Sequence, residues 1–309
     1  MTFRLGDERV AGARTHPSLV GGSDPLAPIP EKAVALYQEV KDNYNAPNRG
    51  KTVLIANSMG GAIVRGMLAY SESVGGVAAK AVDSVFFIEG AQAGSWIAGA
   101  NKVSDPYLST VKMVISQNLP WKTGRPAAAE LAPDSRWYQW ANGKPVPNLP
   151  YFNAYGDITI HLKACLWLCY VDSDGPEVGD GVLLPGSPDP SSLDRLGAAR
   201  FIPSGQQADH IEYKLADKVV FDVGPVDPIA GGKRAVGLVS DIWNSPVSHF
   251  QLSGQIANVS VPHCGTTQPS AGKSWSLAQE YWNLIYRRIA AKTPTCDPTD
   301  WTDWSSPTA

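Results

Sequence analysis

Ser58 is the residue whose neighbours in the sequence most clearly indicate chemistry. It follows the apolar run 53–56 and precedes Met59, Gly60 and Gly61, so a buried strand and a helix are expected to meet at this serine. Small residues around it fit a sharp strand-to-helix turn, which leaves no room for side chains near its apex. Such a turn holds the Ser58 hydroxyl clear of the backbone. It also places the Met59 N–H at a helix amino terminus, where it can stabilise an oxyanion.

The elements that must position Ser58 alternate between helices and strands. Apolar spacing predicts helices over 31–44 and 60–71, and strands over 52–56, 82–88 and 149–155. This order predicts an α/β fold with a mostly parallel sheet and helices on both faces. Farther along, residues 157–190 read as a long loop, 191–199 as a short helix, 200–203 as a short strand and 276–291 as the last strong helix.

The segment Ala56-Asn57-Ser58-Met59-Gly60 resembles the nucleophile elbow of the α/β-hydrolase superfamily, departing from Gly-x-Ser-x-Gly only by Ala56. Residues 87–95 and 131–135 are similar to segments of its lipase/esterase branch. The resemblance implies an α/β-hydrolase-like fold and a serine hydrolase that cleaves carboxylic esters through an acyl-enzyme on Ser58, with no cofactor and no metal. Acyl transfer or thioester cleavage by the same residues, or a non-catalytic binding protein on this scaffold, are the alternatives.

A serine hydroxyl is a weak nucleophile that needs a neutral imidazole to accept its proton and a carboxylate to orient that imidazole. In the superfamily the acid and then the histidine follow the serine along the chain. Gly179-Asp180-Gly181 resembles the segment that supplies the acid in many bacterial lipases, which makes Asp180 the expected acid. Asp157, directly after the predicted strand 149–155, is the alternative.

Three of the five histidines follow Asp180 and compete for the role of base. His210 follows a plausible strand and resembles the Asp-His step of small lipases. His263 precedes the predicted terminal helix, where the fold carries its last loop. These two are preferred, and His249 is the third candidate.

Composition limits the partners of the chain. Its 309 residues are 43% hydrophobic and 18% charged, values typical of a packed globule. The formal charge of −3 gives no electrostatic footprint for nucleic acid, and the apolar runs are too short for a transmembrane segment. The expected partner is therefore a small-molecule or lipid ester substrate. A bridge between Cys264 and Cys296 would favour export slightly, and the compartment stays open.

The chain is expected to form one domain over 1–309, with an insertion at about 91–148 and a carboxy-terminal extension at about 224–309. The insertion contains several tryptophans and is expected to cover the site as a lid. Only 51 residues precede the elbow strand, whereas the resembled family usually has several strands there and a His-Gly loop that supplies a second oxyanion donor. The amino-terminal strands are therefore expected to be shortened or missing, and the segment 11–22 is a candidate for that donor.

Overall fold

The chain is described by a computed structural model over residues 27–47, 51–92, 94–98, 112–113, 126–145, 147–165, 169–183, 210–222, 228–249 and 251. The predicted elements at 191–199, 200–203 and 276–291 lie outside these residues, as do the segment 11–22 and the pair Cys264 and Cys296.

Helices and strands alternate through the first half of the described chain, as predicted. The helices are α1 (Ile29–Asn45), α2 (Met59–Ser73), α3 (Ala78–Ala81), α4 (Pro126–Glu130), α5 (Arg136–Asn142) and α6 (Pro228–Asn244). The strands are β1 (Thr52–Asn57), β2 (Val82–Ile88), β3 (Tyr151–Cys165), β4 (Cys169–Glu177) and β5 (His210–Asp222).

The five strands form one mostly parallel sheet, so the α/β class is confirmed. β1 pairs with β2, β2 with β3 and β3 with β5, all in parallel, whereas β4 is antiparallel to β3. Every residue of β2 is buried, as expected for an inner strand covered on both faces. Because β1 and β2 run in parallel, their carboxyl ends, Asn57 and Ile88, lie side by side at one edge of the sheet, where Ser58 follows β1.

The prediction of a loop over 157–190 is wrong up to Glu177, because this part of the chain contains two strands. β3 continues to Cys165, and β4 returns beside it as the second strand of a hairpin. The apolar residues Ile158, Ile160 and Leu162 alternate with polar ones, the pattern of a strand with one solvated face. The Asp, Ser, Gly and Pro residues of β4 concealed the strand, because these residue types usually mark turns.

The described part of the predicted insertion packs against α2. The indole of Trp137 on α5 covers Gly66, where an added Cβ would lie 2.1 Å from the ring. The buried guanidinium of Arg65 donates to the carbonyls of Ala141 and Lys144 at the end of α5. Residues 126–145 thus contribute Ala127, Leu131, Trp137 and Tyr138 to the core, while 99–111 and 114–125 lie outside the described residues. The expected lid stays a prediction.

An exposed ion cluster on the β3–β4 hairpin is expected to make a small, pH-dependent contribution to stability. The His161 imidazole bonds Asp174 through Nδ1 at 2.8 Å and Asp172 through Nε2 at 2.7 Å. Hydrogen bonds to Asp174 and then Asp172 raise the pKa of His161, while bonds from Lys218 and then His161 lower the pKa of Asp174. The His161 contribution is fully present below its unfolded pKa of about 6.5 and is lost as pH rises through the folded value. The Asp174 contribution is fully present above its unfolded pKa of about 3.9 and is lost as pH falls through its lowered value.

We therefore expect the hairpin amides to be best protected between about pH 4 and 6.5, the window set by these two unfolded values. Amide hydrogen exchange, corrected for the intrinsic pH dependence, measures this protection. In His161→Gln the loss of protection above that window should disappear. An unchanged pH dependence in the variant would contradict the assignment to His161.

No helix within the described ranges has both the length and the hydropathy that a membrane crossing requires.

Candidate active site

The turn at Ser58 is sharp and strained, as the sequence predicted. Ser58 has φ 50° and ψ −125°, a backbone conformation that non-glycine residues rarely adopt. Its N–H donates to the Ile88 carbonyl at 3.3 Å, and its own carbonyl accepts from Gly61 and Ala91, each at 2.9 Å. These bonds tie the turn both to α2 and to the loop after β2. The side chain is half-buried rather than enclosed.

The two glycines after Ser58 have different roles. A Cβ on Gly61 would lie 2.6 Å from Gly90 Cα and 2.7 Å from Ala91 N, so only glycine fits against this backbone. A Cβ on Gly60 would meet Ala56 at 3.7 Å, an ordinary van der Waals distance. The helix α2 therefore approaches the backbone of the loop after β2 most closely at Gly61.

His249 supplies the imidazole that meets Ser58. Its Nε2 lies 2.9 Å from Ser58 Oγ, and its Nδ1 lies 2.8 Å from Asp180 Oδ2. With Nδ1–H donating to Asp180, Nε2 is left as the acceptor for the Ser58 hydroxyl. The ring is 6% exposed and Asp180 is 1% exposed, so little water competes for these bonds. The arrangement can move a proton from Ser58 onto the ring.

Asp180 is held in a loop that follows β4. Its Oδ1 accepts from the N–H groups of Val182 and Leu183 at 2.8 and 2.6 Å, which leaves Oδ2 directed at His249. Gly179 and Gly181 flank it with φ 60° and 88°, values that favour glycine. The Gly-Asp-Gly sequence thus forms a tight turn that also presents the Asp180 carboxylate to the imidazole beside Ser58, and the expected role of Asp180 as the acid stays a prediction.

The segment after α6 brings His249 to this loop. The His249 N–H donates to the Asp180 carbonyl at 2.8 Å, so the two residues are joined through backbone as well as side chains. Val247 lies so close to β3 that a Cβ on Gly156 would be 1.7 Å from the Val247 carbonyl oxygen. Ser245 Oγ bonds Asp217 Oδ2 on β5 at 2.6 Å. Three separate contacts therefore fix the approach of the imidazole.

The structure places His249, the third candidate, beside Ser58, and it does not bring the preferred His210 there. His210 begins β5 and is in register with Tyr151 at the start of β3, Val85 on β2 and Leu54 on β1. Leu54 is four residues before Ser58, so His210 lies about 13 Å back along the strand direction and three strands away. An imidazole there cannot reach Ser58. His263 lies outside the described residues, and the position beside Ser58 is filled by His249.

Asp157, the alternative acid, is buried on β3 next to Gly156, but the imidazole bonds Asp180.

The feature of the sequence that could have indicated His249 is the helix before it. Pro228 at the helix start and the apolar spacing of 235, 238, 239 and 242 mark α6, and Gly231 and Gly232 obscured it because each costs about 1 kcal/mol of helix propensity.

Met59 is the first residue of α2, where a backbone N–H has no carbonyl of a preceding helical turn to bond. Its amide therefore has the position that the expected oxyanion donor needs. The segment 11–22, the candidate source of a second donor, is outside the described residues, so that expectation stays a prediction.

A second buried carboxylate, Glu89, lies near the ring nitrogen that Asp180 bonds. Its Oε2 is 3.9 Å from His249 Nδ1. One ligand-type atom from each of Glu89, Asp180 and His249 lies within 4.8 Å of the others, a set that a divalent cation could use. Both ring nitrogens already make hydrogen bonds below 3 Å, to Ser58 and to Asp180. These bonds favour proton transfer over cation binding as the function of the three residues.

No family model matches the chain, and no curated protein matches it significantly.

Proposed function

We propose that this protein is a serine hydrolase that cleaves carboxylic esters through an acyl-enzyme on Ser58, on an α/β-hydrolase-like fold. The observation that carries the proposal is the continuous chain from Ser58 Oγ to His249 Nε2 at 2.9 Å and from His249 Nδ1 to Asp180 Oδ2 at 2.8 Å. A serine in a strained turn, an imidazole and a buried carboxylate in this order are the groups that acyl transfer requires. The half-buried Ser58 remains open to a substrate.

The reaction proceeds in two steps, acylation of Ser58 and hydrolysis of the acyl-enzyme. Ser58 Oγ forms a bond to the acyl carbon while His249 Nε2 takes the hydroxyl proton, and Met59 N–H donates to the oxyanion. The bond to the leaving oxygen then breaks, and the imidazolium returns the proton to release the alcohol. A water molecule next attacks the acyl-enzyme as His249 takes its proton. Release of the acid returns that proton to Ser58.

The expected substrate is an ester with an apolar acyl group, because the insertion at about 91–148 is rich in tryptophan. The same steps transfer the acyl group to another acceptor or cleave a thioester if the site admits one. Product analysis with water as the only acceptor distinguishes hydrolysis from transfer.

A fluorophosphonate probe tests the proposal directly, since it traps a serine that is activated by a neighbouring base. We expect rapid labelling of the wild-type protein, an adduct that peptide mass spectrometry maps to Ser58, and no labelling of Ser58→Ala. Ser73→Ala is a matched control, because that serine ends α2 and its hydroxyl bonds the Tyr70 carbonyl. Folded wild-type protein that takes no label would favour a non-catalytic binding protein instead.

A further inference from the structure

Glu89 occupies a position that is costly to maintain. It follows β2 directly and has φ 47°, in the left-handed region that residues other than Gly, Asn and Asp seldom adopt. It is 1% exposed, and burial of a carboxylate is unfavourable unless nearby groups stabilise its charge. Its N–H donates to the Ala154 carbonyl on β3 at 2.8 Å, which fixes the backbone where the strained turn occurs.

The side chain of Glu89 is directed at the same ring nitrogen that Asp180 bonds. Oε2 is 3.9 Å from His249 Nδ1, against 2.8 Å for Asp180 Oδ2. At the longer distance the interaction is mainly electrostatic, and in a site with little water it is weakly screened. Asp180 also accepts two backbone N–H bonds on its other oxygen, so its carboxylate is stabilised independently of Glu89.

Two carboxylates around one imidazole favour the protonated ring. With both ionised, the neutral ring faces a local charge of −2, and proton uptake from Ser58 reduces the charge of the cluster to −1. The repulsion between two carboxylate oxygens that lie within 4.8 Å of each other is partly relieved at the same moment. The stabilisation therefore appears when the reaction needs it, as Ser58 loses its proton.

We propose that Glu89 is a second positioning carboxylate of the Ser58–His249–Asp180 site, which stabilises the His249 imidazolium together with Asp180 and takes over its orienting role when Asp180 is lost. This proposal rests on the function proposed above. It assigns a role to the strained, buried residue that follows β2.

The matched pair Glu89→Asp and Glu89→Asn tests the electrostatic part. Both substitutions shorten the side chain equally and both residue types tolerate positive φ, so the variants differ in charge and in one amide N–H₂ group in place of a carboxylate oxygen. We expect the titration of the His249 ring, followed by NMR and identified by its loss in His249→Ala, to move to lower pH by about one unit in Glu89→Asn relative to Glu89→Asp. Among the described residues, Ser58, Asp180 and Glu89 lie close to the ring, and Asp157 is the buried carboxylate on β3. Identical midpoints in the two variants would overturn the proposal.

Kinetics in the Asp180→Asn variant test whether Glu89 takes over the orienting role. Loss of the orienting carboxylate costs roughly 10⁴-fold in the Ser-His-Asp template, and we expect a clearly smaller loss of kcat here while Glu89 is present. Adding Glu89→Asn should bring the loss to that full value, whereas adding Glu89→Asp should not. A loss in Asp180→Asn that neither second substitution changes would contradict a substitute role.

The two proposals fail in different ways. If the wild-type protein takes no phosphonate label, the hydrolase function fails, and the NMR titration still reports whether Glu89 acts on the ring. If the label reacts but the titration and the kinetics are indifferent to the charge at position 89, the function stands and the role of Glu89 is wrong.

Discussion

His249→Ala is expected to reduce ester turnover by roughly 10⁴–10⁶-fold, because Ser58 then has no group to accept its proton. The loss should fall on kcat, since the imidazole acts on the proton rather than on substrate binding. Initial rates with a short-chain nitrophenyl ester measure it. Phosphonate labelling of Ser58 should slow in parallel, because the probe depends on the same activated hydroxyl.

His210→Ala and His263→Ala are the controls for that variant, and each should keep turnover within a few-fold of wild type. His210 begins β5, about 13 Å back along the strand direction and three strands from Ser58, so its replacement should leave the Ser58–His249 contact of 2.9 Å intact. Near-complete inactivation by either control together with an active His249→Ala would show that the imidazole at Ser58 comes from elsewhere. Circular dichroism of each variant separates loss of chemistry from loss of fold.

Gly61→Ala is expected to lower the free energy of unfolding by about 1–3 kcal/mol, because its Cβ has no space against the backbone of the loop after β2. The added atom would lie 2.6 Å from Gly90 Cα and 2.7 Å from Ala91 N. Displacement of this loop breaks the 2.9 Å bond from Ala91 N–H to the Ser58 carbonyl and moves Glu89 as well. We therefore expect a loss of turnover of about 100-fold, the size that a 1 Å misplacement can cause.

Gly60→Ala is the matched control, one residue earlier on the same helix. Its Cβ meets Ala56 at an ordinary 3.7 Å, and alanine gains up to about 1 kcal/mol of helix propensity over glycine. Urea unfolding should place this variant at or above wild-type stability. If Gly60→Ala and Gly61→Ala are destabilised equally, the close approach at Gly61 is not the source of the effect.

Sequence reasoning was most accurate where the structure is local. The strand 82–88 is found with both ends as predicted, and the helices predicted at 31–44 and 60–71 extend by only one or two residues. Each of these elements has a clear apolar pattern, which can be recognised within its own segment of the sequence. The sequence does not predict the hairpin of β3 and β4, because β4 is rich in turn-forming residues and its pairing depends on β3 rather than on its own propensity.

The same division runs through the candidate site. The strained turn at Ser58 and the Gly-Asp-Gly turn at Asp180 are written in short segments, because each needs small residues or glycines at fixed positions around the functional one. The histidine carries no such local mark: three histidines follow Asp180, and each stands in a plausible loop or strand context. The sequence did not indicate Glu89 for the same reason, since its proposed role depends on the orientation of the His249 ring, which comes from a distant segment.

The sequence by itself therefore determined the tight turn at Ser58 and the Gly-Asp-Gly loop that carries Asp180. Only the tertiary structure decided which imidazole joins them, because Ser58 and His249 are 191 residues apart and meet through packing of the segment after α6 against Gly156 and the Asp180 loop. A contact of that span is set by the summed fit of several elements, and no pattern within one element records it.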